Sequence, residues 1–158
     1  MKRKKIIRGI AIIGLSGLII GIGTALYLFN MPHRDVQSAK ADYSLSSSEI
    51  VNEYLADQDA ANEKYLAADG DSKILEITGE ILQISEDFNG QKVVLLKNQE
   101  DKAGVSATFT TETGKNIDGI KPGQVVTIKG VIRSGESDDK DHEMYENVII
   151  EKSDIIKY

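Results

Sequence analysis

Residues 73–85, KILEITGEILQIS, are the stretch on which the architecture turns. Leu75, Ile77 and Ile81 share one parity, the side-chain period of a β-strand, whereas Leu82 and Ile84 take the other, and Gly79 stands in the middle. A strand that changes the face it buries halfway along must bend or carry a bulge, so Lys73–Ser85 reads as one long strand serving two parts of a curled sheet.

Downstream, Phe88-Asn89-Gly90-Gln91 reads as a hairpin turn, because Asn-Gly adopts left-handed backbone at little cost. Lys92–Leu96 and Val105–Thr110 follow as strands two and three, with the polar loop Lys97–Gly104 between them. Thr111–Gln124 is a connector with room for one helical turn, and Pro122-Gly123 turns it into strand four, Val125–Ser134. An acidic loop, Gly135–Glu146, leads to strand five, Asn147–Lys152, and a short tail. Upstream, Ser46 or Ser48 caps a helix that contains Glu49, and Ile50, Val51, Tyr54, Leu55, Ala61, Tyr65 and Leu66 make one apolar stripe along 49–66.

Five short strands in about 80 residues are too few for an extensive sandwich core; a small barrel closes its edges and needs one opening covered, which the helix supplies. The fold class expected is mainly β: a five-stranded OB-fold barrel preceded by an amphipathic α-helix, with an N-terminal transmembrane helix added. Asn62-Glu63-Lys64-Tyr65-Leu66, the strand segment Glu76-Ile77-Thr78-Gly79-Glu80, and residues 121–130, KPGQVVTIKG, together resemble the bacterial OB-fold family named tRNA anticodon-binding-like, met as small exported or membrane-anchored proteins of the Bacteroidetes type. The resemblance covers about Ser48–Lys152 and the anchor arrangement. It implies an OB barrel with no catalytic residues to carry over. The chain departs from relatives in Ala67–Asp71, where they are tighter, and in having no cysteine where some carry them in strands three and five.

The anchor rests on residues 9–29, GIAIIGLSGLIIGIGTALYLF, 21 positions without a charge. As a helix they reach about 30 Å, the thickness of the hydrocarbon core. Met1–Arg34 holds six basic and no acidic side chains, and Asp35–Tyr158 thirteen basic against 25 acidic, a net of −12. The positive flank at Lys2, Arg3, Lys4, Lys5 and Arg8 places residues 1–8 in the cytoplasm and the remainder outside, as a single-pass protein of the inner membrane facing the periplasm. Cleavage after Ala39-Lys40-Ala41 is the rival reading. Residues 30–45 read as a tether and 46–158 as the OB-fold domain.

No catalytic constellation is visible. The chain has no cysteine, and His142 is the sole histidine beyond the tether, in a polar loop that offers no buried orienting acid. The function expected is therefore an extracytoplasmic binding or interaction module that needs no cofactor; an extracytoplasmic enzyme and a nucleic-acid-binding OB domain are the alternatives. Its partner is an envelope protein, a peptide or a glycan. Nucleic acid is not expected, since the domain is acidic and strands two and three carry few rings. The candidate ligand-binding residues are Phe88, Asn89, Lys97, Lys102 and Tyr145, on an open side of the barrel bounded by Phe88–Gln91, Lys97–Gly104 and the 135–146 loop. Tyr43 is a further candidate contact, and Phe109 alternates into the core. Asp138, Asp139, Asp141 and Glu143 crowd one loop with carboxylate oxygens, the ligands hard cations take, although the glycine and distal glutamate of a calcium loop are missing.

Overall fold

A computed structural model describes residues 17–18, 20–26, 35–68, 71–135, 138–139 and 144–157. The chain divides into two units, Met1–Arg34 and Asp35–Tyr158. In the first, residues 17–18 and 20–26 are helical, with the Thr24 hydroxyl donating to the Ile20 carbonyl oxygen at 2.8 Å. Among the described residues no helix is long and apolar enough to cross a membrane. The rest of the span read at 9–29 lies outside the described residues.

In the second unit, β1 (Tyr43–Ser46) leads into helices α1 (Ser47–Ala56) and α2 (Gln58–Tyr65), and then β2 (Ile74–Glu86), β3 (Lys92–Leu96) and β4 (Val105–Phe109) follow. A 3-10 turn at Gly114–Ile117 precedes β5 (Val125–Ser134), the two-residue pair β6 (Asp138–Asp139) and β7 (Met144–Tyr145), and β8 (Val148–Lys157). β2 pairs with β5 over Ile74–Glu80 and with β3 over Ile81–Glu86; β3 pairs with β4, β4 runs parallel to β8, and β8 returns antiparallel to β5. The five strands thus close into a barrel with no free edge among them.

The bend in β2 falls where the parity changes. Its register with β3 shifts between Ile81 and Gln83, and Leu82 is turned out to half exposure. Ile81 holds the corner, donating its N–H to the Gln124 carbonyl oxygen and accepting from the Gly123 N–H. Gly79 is a matter of space: a Cβ there would stand 2.6 Å from the Ser47 hydroxyl and 3.2 Å from the Leu96 Cβ, so α1 could not approach the strand this closely.

Inward positions of all five strands, among them Leu75, Ile77, Val94, Leu96, Ala107, Phe109, Ile128, Ile132 and Ile150, form one buried cluster with Ile50, Val51, Tyr54, Ala61 and Tyr65 from the helices. The helical stripe covers one barrel opening, each large side chain contributing about 1.5–3 kcal/mol by leaving water. Ser46 is the cap of α1: its hydroxyl accepts from the Glu49 N–H, and the Glu49 carboxylate accepts from the Ser46 N–H at 2.7 Å. The helix expected over 49–66 is two helices, because Asp57 adopts extended backbone and its carboxylate accepts from the Ala60 N–H at 3.0 Å, capping α2. An aspartate that can bond the backbone ahead of it competes with helix continuation.

Two more segments differ from expectation. Within the stretch read as a tether, residues 35–45 are built onto the barrel: β1 lies parallel to β2 from Tyr43↔Leu75 to Ser46↔Thr78, and Val36 is buried with Ile74 and Val131. The Lys129 ammonium, on a residue almost fully buried, donates to the carbonyl oxygens of Gln37 and Ala39. A buried cation needs such acceptors to replace its water. The last strand continues to Lys157, past the expected end at Lys152, because Lys152 takes φ = 51° in a bulge where pairing with both neighbours shifts. That extra residue resets the alternation, burying Ser153 where the earlier parity pointed outward.

Candidate functional site

The β2–β3 turn is a rigid loop built around one carboxylate. Asp87 Oδ1 accepts from the backbone N–H groups of Asn89 and Gln91, each at 2.8 Å, and the Asp87 N–H donates to the Gln91 carbonyl oxygen. Gly90, at φ = 74°, supplies the left-handed corner. On this frame Phe88 is fully exposed, touching nothing that would shield its ring. A free phenyl group on an ordered turn is a solvent-facing apolar surface.

Beside the turn lies a cleft of about 260 Å³, walled by Asp87, Asn89, Gln91, Thr108, Glu151 and Lys152 and floored by Phe109. Past Gln91 and Thr110, which both hollows share, the groove continues into a second hollow of about 280 Å³ that includes Lys92, Lys115 and Asp118. Its charged groups are largely committed: Asp87 serves the turn, Glu151 accepts from Arg133 Nε at 2.8 Å, and Lys92 pairs with Asp118 at 3.1 Å. The side chains of Asn89, Gln91 and Thr108 make no hydrogen bond among the described residues. Lys152 brings its left-handed backbone to the wall, the one non-glycine residue with positive φ among the described residues. Backbone of this kind costs about 1–2 kcal/mol and persists where surrounding contacts enforce it.

The residues singled out from the sequence fall in three places. Phe88 and Asn89 are together at this turn. Lys97 and Lys102 are at the opposite end of β3, a five-residue strand, where Lys97 Nζ donates to the Lys102 carbonyl oxygen at 3.1 Å. That loop meets the end of the β5–β8 connection, the Gly104 N–H donating to Asn147 Oδ1 at 2.8 Å. Phe88–Gln91 and Lys97–Gly104 therefore lie at opposite ends of β3. Tyr145 is described in its backbone, paired with Asp138. Of the candidate cation ligands, Asp138 and Asp139 form β6, and Asp141 and Glu143 lie outside the described residues. Among the described residues no group of three or more acidic or histidine side chains is arranged to hold a metal ion. Tyr43, a candidate contact, packs edge-on against Tyr65 at 5.4 Å, with the Lys64 ammonium 5.1 Å from its ring centre.

Gln91 and Thr108 carry a weak sequence signal, a turn position and an outward strand parity; Glu151 and Lys152 carry none, since a left-handed lysine has no compositional signature. Away from Asp35 and the Glu49 cap, the groups with displaced pKa values are Glu53 and Tyr54 of α1 and Lys64 and Tyr65 of α2. Burial pushes the Tyr54 hydroxyl up to about 12. Burial also opposes the Glu53 charge, but hydrogen bonds from Lys64 and the Tyr65 hydroxyl, both at 2.7 Å, outweigh it and hold that carboxyl low. The Lys64 ammonium is raised by its bond to Glu53. Glu53, Lys64 and Tyr65 bind one another, which is a structural use of charge, and the Tyr54 ring stacks on Tyr65 at 6.1 Å.

A closed five-stranded barrel of this strand order, with a helix over one end, is an OB-type domain. The chain belongs to the tRNA_anti-like family, whose model matches residues 1–140. It is also similar in structure to a solved protein described as a "putative nucleic acid-binding lipoprotein" from Klebsiella pneumoniae subsp. pneumoniae MGH 78578, at 16% identity and a TM-score of 0.52, covering 80% of this chain and 100% of that one. No curated protein matches the chain.

Proposed function

We propose that the protein is a membrane-anchored, extracytoplasmic OB-fold module that works by non-covalent recognition at the groove beside the β2–β3 turn. The observation that carries this reading is Phe88, fully exposed on a turn whose backbone is tied down by Asp87, next to amide and hydroxyl side chains with no hydrogen-bond partner among the described residues. Exposed rings on rigid loops are the groups that lose most water on contact with a partner, and rigidity lowers the entropy lost in binding. The location rests on the uncharged stretch 9–29 and on the basic side chains before it, which orient the domain to the periplasmic side of the inner membrane. The structural neighbour's description as a lipoprotein supports an envelope setting.

The same description favours nucleic acid as a second reading. Against it stand the domain charge of −12 and the outward row of β3 and β4, where Val93, Leu95, Ser106 and Thr108 present neither ring nor cation. Phosphate backbones are held by cations that displace counterions, and bases by stacked rings.

The test is a photo-crosslinking amino acid at position 88 of the full chain, in cells, with the same group at exposed Asp59 on α2 as control, and a reporter active only outside the cytoplasm fused after Tyr158. An active reporter and an adduct specific to position 88 are expected. A silent reporter, or adducts equal at both positions, would overturn the reading.

A further inference from the structure

We infer that the groove beside the β2–β3 turn binds a neutral oligosaccharide; this rests on the interaction-module reading and specifies its ligand. Gln91 and Asn89 each offer a carbonyl oxygen and an NH2 group, and Thr108 a hydroxyl, all without an intramolecular partner among the described residues. Sugar hydroxyls are both donors and acceptors, and paired amides match them without any change of charge. The charged groups that line the two hollows are balanced, Asp87, Asp118 and Glu151 against Lys92, Lys115 and Lys152, and most are already bound within the protein. A polyanion would find no positive track there. A peptide would find no strand edge to join, because β4 is paired on both sides, with β3 and with β8.

The shape agrees with the chemistry. Two hollows of about 260 and 280 Å³ share Gln91 and Thr110, so consecutive rings of one chain can occupy them with Gln91 between. Each is just below the usual size of a pocket for a whole small ligand, as suits one unit of a longer molecule. Phe88 lines neither hollow but stands fully exposed on the turn whose Asn89, Gly90 and Gln91 do, a free ring of the kind that packs on the C–H face of a pyranose.

The chain contains no tryptophan, so Phe88→Trp places a single indole reporter at the site. Full-length F88W in a zwitterionic detergent, chosen because sugar-headed detergents would compete, is titrated with maltotetraose, cellotetraose and chitotetraose, and separately with a twelve-residue oligothymidylate and a casein digest. The expected result is a saturable blue shift with at least one tetrasaccharide, its affinity lowered about tenfold or more by Gln91→Ala or by Thr108→Val with thermal melting unchanged. Silence toward all three sugars overturns the inference, as does a sugar response equally strong in both groove variants, or binding of oligothymidylate or peptide in their place. If the position-88 crosslink to an envelope protein survives such a failure, the carbohydrate ligand alone is refuted; loss of both removes the module reading as well.

Discussion

The Gln37 side-chain amide donates to the carbonyl oxygen of Lys152 at 2.6 Å, joining two residues 115 positions apart. The acceptor belongs to the left-handed residue that walls the groove, and the donor to the strap that enters the barrel from residue 35. Strap and groove wall are therefore one mechanical unit.

Removing that donor should loosen the bulge. Gln37→Ala is expected to cost about 1 kcal/mol, the net worth of one intramolecular hydrogen bond, and to speed amide exchange at residues 151–153 while the β2–β5 ladder stays protected. Exchange unchanged across β8 would show that the bulge is held by strand pairing alone.

Lys129 holds the same strap through the Gln37 and Ala39 carbonyl oxygens. With Lys129→Ala we expect proteolysis within residues 35–42 at concentrations of protease that leave the wild type intact, and a loss of about 1.5–3 kcal/mol, as for hydrogen bonds to a charged group. Limited digestion followed by mass spectrometry reads this directly.

Gly135 is where the Tyr54 ring passes: a Cβ would lie 1.8 Å from the ring. Gly135→Ala should destabilise by about 1–3 kcal/mol, as overpacking does, and Tyr54→Leu should relieve part of that loss in the double variant. Additive effects in denaturant titrations would contradict a direct clash.

The Tyr54 hydroxyl is buried without a hydrogen-bond partner among the described residues, and burial lifts its pKa from 10.0 to about 12. The native state keeps this proton over a range where the unfolded chain releases it. Its contribution is thus complete below about pH 10 and is lost as pH rises toward 12. Tyr54→Phe should leave stability at pH 7 unchanged or slightly higher, and flatten the alkaline decline. Thermal melts between pH 7 and 12 test both parts.

Much of the barrel was legible in the chain because its signals are local. The parity change between Ile81 and Leu82 marks the bend, Asn89-Gly90 marks the first hairpin, and Phe109 alternates with Val105 and Ala107, so burial of all three follows from a period of two. Phe88, in a turn between polar neighbours, had nowhere to bury itself, and it is exposed. Asp57 was harder to read, since the apolar stripe continues across it while its cap to Ala60 interrupts the backbone.

The amino-acid sequence by itself determined the elements whose hydrogen bonds and burial are set within a few residues: strands β2 to β5, the turn at Asp87–Gln91 and the Ser46 cap. Only the tertiary structure decided the strap, the bulge and the groove. Val36 is buried because Ile74 and Val131 are there to receive it, Lys152 is left-handed because the pairing of β8 with β4 and β5 shifts around it, and the cleft exists because the β2–β3 turn and β8 come together from 60 residues apart in the chain, on the order of the separations whose closure entropy no local pattern can report.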